Sequence, residues 1–187
     1  MQIQIVPYQP QWSARFEALK EELQVLFGSA ALRIDHIGST SVPDLPAKDI
    51  IDVQVTVSSL EQPELWERIA AAPGFILRSH TRDELIGVPE HSEELKKRFL
   101  KTADLRHHIH VRVQGRLNQR YALLFRDFLR HNPQQRDIYA LLKQRLAEWF
   151  PDNVDNYYHI KDPVMDLLYL HAESWARETG WRVESCA

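Results

Sequence analysis

A glycine followed by three hydroxyl-bearing residues, Gly38-Ser39-Thr40-Ser41, closes a run whose pattern suits a β-strand, and Asp52 follows within a second apolar run from Ile50 to Val57. Those residue types suit phosphate chemistry. A glycine lets the backbone come close to a phosphate, the amides and the Ser39 and Thr40 hydroxyls can bind its oxygens, and a nearby carboxylate can hold a cation. Phosphoryl and nucleotidyl transfer need these parts together, usually with two or three carboxylates around one or two Mg²⁺ ions, two of them on alternate residues of one strand. Period two places Asp52 and residue 54 on the same face, and residue 54 is Gln54, an amide that can bind a base or a neighbouring backbone group.

A second group of candidates lies farther along, where His108, His110 and Arg112 alternate with Ile109, Val111 and Val113. Alternate strand residues project to one side, so His108 and His110 can bind a metal together with His36 or Asp52, or can line a groove through hydrogen bonds, or can move a proton. Magnesium prefers oxygen ligands and imidazole suits zinc, nickel, copper or iron, so a divalent metal of either kind is the cofactor these residues suggest. Lys48, Arg98, Lys101 and Arg106 are cations that could meet a triphosphate or stand as solvated surface, and Glu90, Glu93 and Glu94 dilute the basic cluster ahead of the histidines.

The elements that must position these groups follow from periodicity. Gln2 to Val6 alternates as a short strand or arm, and Trp12, Phe16, Leu19, Leu23, Leu26 and Phe27 fall at helical spacing until Gly28 stops the helix. Strands are expected over 32–37, about 50–57, 75–78 and 107–113, with a short helix over 63–72 and a short strand near Phe99 in the otherwise poorly patterned stretch 80–106. Helices then follow. Leu117, Tyr121, Leu124, Phe125 and Phe128 mark one face, and Ile138, Leu141, Leu142 and Leu146 mark the next helix after Asn132-Pro133. A last helix is expected to begin near Pro163, to bury Val164, Leu167, Leu168, His171 and Trp175, and to end at Gly180. This pattern predicts a single α+β domain over 1–187, sheet-rich to about residue 115 and helical beyond it.

With 187 residues and a formal net charge of -3, the chain has no global electrostatic drive toward nucleic acid or anionic membrane, so phosphate binding must be local. The cysteine Cys186 stands alone, which excludes an intrachain disulfide and a cysteine zinc site. Neither a signal-peptide pattern nor a run of about 20 apolar residues is present, and the expected location is the cytoplasm.

The stretch from His36 to Val55, HIGSTSVPDLPAKDIIDVQV, resembles the GrpB family, a branch of the nucleotidyltransferase superfamily. The resemblance continues through HHIHV at 107–111, LLFRDFLR at 123–130, Pro133, Tyr139, Leu142, Lys143, Leu146 and Ala147. It implies a nucleotidyltransferase-like mixed sheet with packed helices and a helical carboxyl-terminal half, and it implies binding of a nucleotide or another phosphorylated small molecule. Ser39 would hold the phosphate, Asp52 would bind the metal, and the carboxylate triad of an active transferase would be incomplete, since Gln54, His108 and His110 occupy the positions of the other acids. A related domain fused to dephospho-coenzyme A kinase implies an alternative, a non-catalytic accessory or folding-assisting module with a protein partner in coenzyme A metabolism. A metal-dependent hydrolase using the histidines is a third reading.

Overall fold

In the computed structural model, which describes residues 2–183, the paired segments are those the alternation selects. Strands β1 (Arg33–Ile37), β2 (Ile51–Val57), β3 (Phe75–Arg78), β4 (Lys97–Thr102) and β5 (His107–Val113) form one mixed sheet in the order β1-β2-β5-β4-β3. β2 and β5 run parallel at its centre, and the other pairings are antiparallel. The expected strand near Phe99 is β4. Helices α1 (Gln11–Phe27), α2 (Pro63–Ala71), α3 (Leu117–His131), α4 (Pro133–Trp149) and α5 (Val154–Thr179) complete the α+β arrangement, with the last three making the helical carboxyl-terminal half. The Gln2–Val6 arm contributes one bridge, Val6 to Ala47.

The two faces of the sheet differ in kind. Ile51, Val53, Val55 and Val57 of β2, with Leu100, Ile109 and Val111, pack against Trp12, Phe16, Leu23 and Phe27 of α1 and Leu65 and Ile69 of α2 in one apolar core. The opposite face carries Asp52, Gln54 and Thr56 of β2, which stand directly across from His108, His110 and Arg112 of β5. Gln54 and Thr56 are wholly buried and Arg112 nearly so. A polar sheet face covered by helices is costly unless each group finds a partner, so this face is where side chains do more than fill space.

Two expectations about the helices need correction. The final helix begins at Val154, capped by the Asn153 side chain accepting from the Asn156 amide, and Pro163 lies inside it. Proline suits a first turn, which makes residue 163 read as a start. Here it sits mid-helix, where it has no N–H to offer the carbonyl four residues back. The buried stripe of α5 is Tyr157, Lys161, Tyr169, Ala172 and Ala176, while Leu167 is 56 % exposed. In α4 the buried residues are Tyr139, Ala140, Lys143, Leu146 and Ala147, whereas Ile138 and Leu141 face out. Both helices thus bury lysine and tyrosine among their inward apolar residues while leaving other leucines and isoleucines exposed, a departure from simple amphipathic packing. No helix among the described residues is long and apolar enough to cross a membrane. Cys186 lies outside the described residues.

Candidate functional site

β1 ends at Ile37, directly opposite Asp52 of β2, and the chain turns at once through Gly38 into a single tight helical turn, Ser39–Ser41. Gly38 has φ 68°, in the region that favours glycine, and a Cβ on it would lie 2.5 Å from Asp52 Oδ2. The turn is therefore laid flush on the carboxylate. The Ser41 hydroxyl and amide both donate to the Gly38 carbonyl, at 2.6 and 3.2 Å. From α3, Arg130 donates to the Ser41 carbonyl at 2.6 and 3.0 Å, and Arg126 donates to the His36 carbonyl at 3.1 Å. Two arginines beside the apolar stripe of α3 thus clamp the turn from above.

Asp52 has imidazoles on its other side, His108 Nδ1 at 3.4 Å and His110 Nε2 at 3.8 Å from Oδ1, and its side chain keeps 29 % of its surface accessible. Burial opposes its ionisation, but the interactions with His108 and His110 outweigh that and hold the carboxyl well below the ordinary range. His110 is pushed down to about 3, by burial first and then by Lys97 and Arg112, so at neutral pH it is an uncharged imidazole beside a carboxylate. The Phe99 ring covers both histidines, with centroids 5.4 and 4.9 Å from theirs.

Other expected members of the site lie elsewhere. His36 pairs with Val53, which turns its ring to the apolar face, where it stacks on Phe16 at 4.8 Å and shares a 3.0 Å hydrogen bond with Thr40. Burial lowers its pKa to about 4. His36 and Thr40 thus fasten the turn from behind, and the expected grouping of His36 with His108 and His110 around a metal is not formed, because strand alternation sends them to opposite faces. Arg98 alternates away in the same manner and lies over the Trp66 ring at 5.3 Å. Lys101 stands opposite His108, with its ammonium 5.8 Å from the Phe99 centroid at the margin of the histidine surface.

Gln54 is spent on structure. Its amide nitrogen donates to the Gln119 carbonyl at 3.1 Å and its oxygen accepts from Arg112 at 2.8 Å. Arg112 also donates to Asp83 at 2.9 Å, and Asp83 accepts from Lys97 at 2.5 Å and from Asn118 at 3.1 Å. Asp35 of β1, opposite Gln54, is held by Arg33 at 2.5 and 2.7 Å. Asp35 and Asp83 are thus committed to arginine and lysine. Among the described residues no group of three or more His, Cys, Asp or Glu is arranged to hold a metal ion.

Sequence reasoning missed the residues on the helical side. Lys143 of α4 is 3 % exposed and donates to Ser39 Oγ at 2.9 Å and to the Pro46 carbonyl at 2.6 Å. Tyr139, one turn earlier, has its ring 4.8 Å from the Lys143 ammonium. Lys48 lies beside them, donating to the Tyr158 hydroxyl at 2.5 Å, and Lys161 lies 5.2 Å from the Tyr158 ring. Burial, then the charges of Lys161 and Lys48, lower Lys143 to about 7, with Asp52 opposing. The cost of that burial is greatest below about pH 7, where Lys143 is charged in both folded and unfolded chains, and it fades as pH rises toward the ordinary value of 10.5. Lys143→Met is therefore expected to raise the thermal midpoint at pH 6 by several degrees more than at pH 10, measured by circular dichroism; an equal shift at both would show that Lys143 carries no burden of charge.

The comparisons agree with this architecture. The GrpB protein family matches residues 2–170. Dephospho-CoA kinase of Mycolicibacterium paratuberculosis is 33 % identical, covering 96 % of this chain and 48 % of its own length, and dephospho-CoA kinase of Mycobacterium tuberculosis is 36 % identical over 95 % of this chain and 48 % of its own. The chain thus spans about half the length of those relatives. A UPF0157 protein of Halalkalibacterium halodurans is 30 % identical, covering 92 % of this chain and 83 % of its own length. The crystal structure of the conserved protein GrpB from Enterococcus faecalis superposes with a TM-score of 0.73 at 32 % identity, covering 92 % of this chain and 99 % of that one. With the family pattern running from the amino-terminal arm into α5, and a solved GrpB structure of the same shape, this chain belongs to the GrpB family.

Proposed function

We propose that the protein binds a phosphorylated small molecule, with nucleotides as the favoured class, at the Gly38–Ser39 turn beside Asp52. One observation carries this reading: a carboxylate lies flush under a glycine turn whose serine hydroxyl is held by a buried ammonium, Lys143. A purely structural turn has no need of a buried lysine, whereas a phosphate oxygen seated near Ser39 would gain from its charge. Unlike Asp35 and Asp83, Asp52 has histidines rather than arginine or lysine as its partners, so these residues fit a single divalent ion shared with the ligand's own phosphate oxygens, as magnesium is commonly bound. A two-metal centre built from the protein alone does not fit them.

Nucleotidyl transfer is the finer form of the proposal. In it an acceptor hydroxyl forms a bond to the α-phosphorus, the bond to the departing pyrophosphate breaks, and the hydroxyl proton passes to a base. His108, 3.4 Å from Asp52 Oδ1, is placed for that last task, since the burial and the cations that push His110 down to about 3 leave that ring a weak base. Binding is the first thing to test. Calorimetric titration of the wild type with nucleoside mono-, di- and triphosphates, with and without Mg²⁺, is expected to show binding that Ser39→Ala weakens by about tenfold, the loss of one hydrogen bond to a charged group. In Asp52→Asn the dependence on Mg²⁺ is expected to disappear. No binding of any of these ligands by the wild type would overturn the proposal.

That outcome would favour a second reading, an accessory module that docks on a partner protein. Its support is the outward face of the helical half, where Ile160, Leu167 and Leu170 of α5 and Ile138 and Leu141 of α4 are 43–64 % exposed. Relatives of about twice the length carry the name dephospho-CoA kinase, which supports a kinase of that kind as the partner in this reading.

A further inference from the structure

Lys143, Lys48 and Lys161 reach one place from three separate parts of the fold: α4, the loop between the Ser39–Ser41 turn and β2, and α5. Each approaches a tyrosine ring, Lys143 that of Tyr139 at 4.8 Å, Lys48 those of Tyr158 at 4.6 Å and Tyr157 at 5.3 Å, and Lys161 that of Tyr158 at 5.2 Å. Lys143 and Lys161 are buried and Lys48 is partly so.

Their partners do not balance their charges. Lys161 is 2.5 Å from Asp162, a carboxylate that is 60 % exposed, but among the described residues neither Lys143 nor Lys48 has a carboxylate within 4.0 Å. Lys143 contacts a hydroxyl and a carbonyl, and Lys48 contacts a phenol. Neutral groups can orient an ammonium but cannot cancel it, and holding two such charges beside Lys161, whose carboxylate partner is Asp162, costs free energy that a further anion recovers. The mutual repulsion is visible in Lys143, which burial and then its two neighbours push down to about 7.

Asp52 acts on the charge of Lys143, yet its own ion-pair partners are His108 and His110 and none of the three lysines. Ser39 joins the two regions: its backbone follows Gly38, which lies on Asp52, and its hydroxyl accepts from Lys143. A phosphoryl group at Ser39 would therefore have Asp52 on one side and the lysines on the other, leaving Lys48, Lys161 and the Tyr158 hydroxyl for a neighbouring group.

We infer that Lys48, Lys143, Lys161 and Tyr158 form a second phosphoryl subsite, so that the preferred ligand carries two or more linked phosphoryl groups rather than one. This rests on the phosphate reading of Ser39 and specifies its substrate class as a pyrophosphate-bearing molecule.

Inorganic pyrophosphate and orthophosphate are the probes, with ADP and AMP as the matched nucleotide pair, titrated by calorimetry at fixed pH, fixed ionic strength and saturating Mg²⁺. The wild type is expected to bind pyrophosphate and ADP at least about tenfold more tightly than orthophosphate and AMP, since each charge-assisted contact contributes on that scale. Lys48→Met and Lys161→Met are each expected to shrink that preference about five- to tenfold while changing AMP affinity less than about twofold. Tyr158→Phe, which leaves every charge in place, is expected to give a smaller loss of the same sign. Thermal melts of each variant confirm that the fold is kept, and the Tyr158→Phe result stands even if a lysine variant fails to fold.

Equal affinity for the single and linked phosphates, or a preference that both lysine variants leave intact, would overturn the second subsite while leaving the Ser39 site standing. Failure of all four ligands to bind the wild type would remove both.

Discussion

Gly38→Ala is expected to destabilise the protein by about 2–4 kcal/mol, lower the thermal midpoint by about 5–15 °C and abolish ligand binding at the Ser39 turn. Two costs combine. A side chain at φ 68° is strained, and the new Cβ would lie 2.5 Å from Asp52 Oδ2, 2.9 Å from its Cβ and 3.0 Å from its Cγ, closer than real carbon atoms approach. Asp52 cannot retreat freely, because His108 and His110 stand on its other side. Gly115→Ala isolates the first cost: Gly115 has φ 80° with nothing within 4 Å of its would-be Cβ. Calorimetric melts of both variants should therefore show Gly38→Ala as the costlier, with Asp52→Ala in the same background restoring part of the difference by removing the carboxyl atoms. Equal costs for the two glycines would mean that the turn and the carboxylate are not in the contact described.

The same contact shows what the sequence could and could not disclose. Period two in β2 and β5 is by itself strong enough to place Asp52 with Gln54 and His108 with His110, each pair on one face of its strand, and the register brings the two pairs together. Period two also determines that His36 faces the other way. Counting back from Ile37, which stands opposite Asp52, gives that result, but only with the β1–β2 pairing in hand. The helical half was legible as helix and not as surface. Ile138, Leu141 and Leu167 read as core, yet they face outward, because the inward positions of α4 and α5 are taken by Tyr139, Lys143, Tyr157 and Lys161. Hydrophobic periodicity assumes that burial follows apolarity, and a helix that buries cations and tyrosines on its inward face breaks the assumption. A usable signal was present: Tyr139 and Lys143, four residues apart and hence on one helix face, belong to the family pattern, as does Ser39. Nothing in the charge-mixed stretch 80–106 marks Asp83 as different from its exposed neighbours, and its partners come from β4, β5 and α3, which sequence spacing does not bring together.

Asp83 carries the second large effect. It accepts from Lys97, Arg112 and Asn118, and both cations are buried, with 4 % and 7 % of their surface exposed. Removing the carboxylate by Asp83→Ala would leave two buried charges with no acid between them, and is expected to cost about 3–5 kcal/mol in urea unfolding. The loss should spread toward the site, because Arg112 also orients Gln54, and Lys97 lies 3.4 Å from His110 Nδ1. Adding Lys97→Met to Asp83→Ala removes one stranded charge and should recover part of the stability, whereas additive losses would mean that the two residues are not coupled. The pH dependence has a definite sign. Burial favours the neutral acid, but Arg112 and Lys97 outweigh it and hold the Asp83 carboxyl well below its ordinary value of 3.8. Its contribution is therefore complete above about pH 4 and is lost as pH falls through the lower folded-state value, so the gap between wild type and Asp83→Ala should narrow on acidification. A gap that stayed constant between pH 7 and pH 2 would show that the carboxylate charge is not what holds β4, β5 and α3 together.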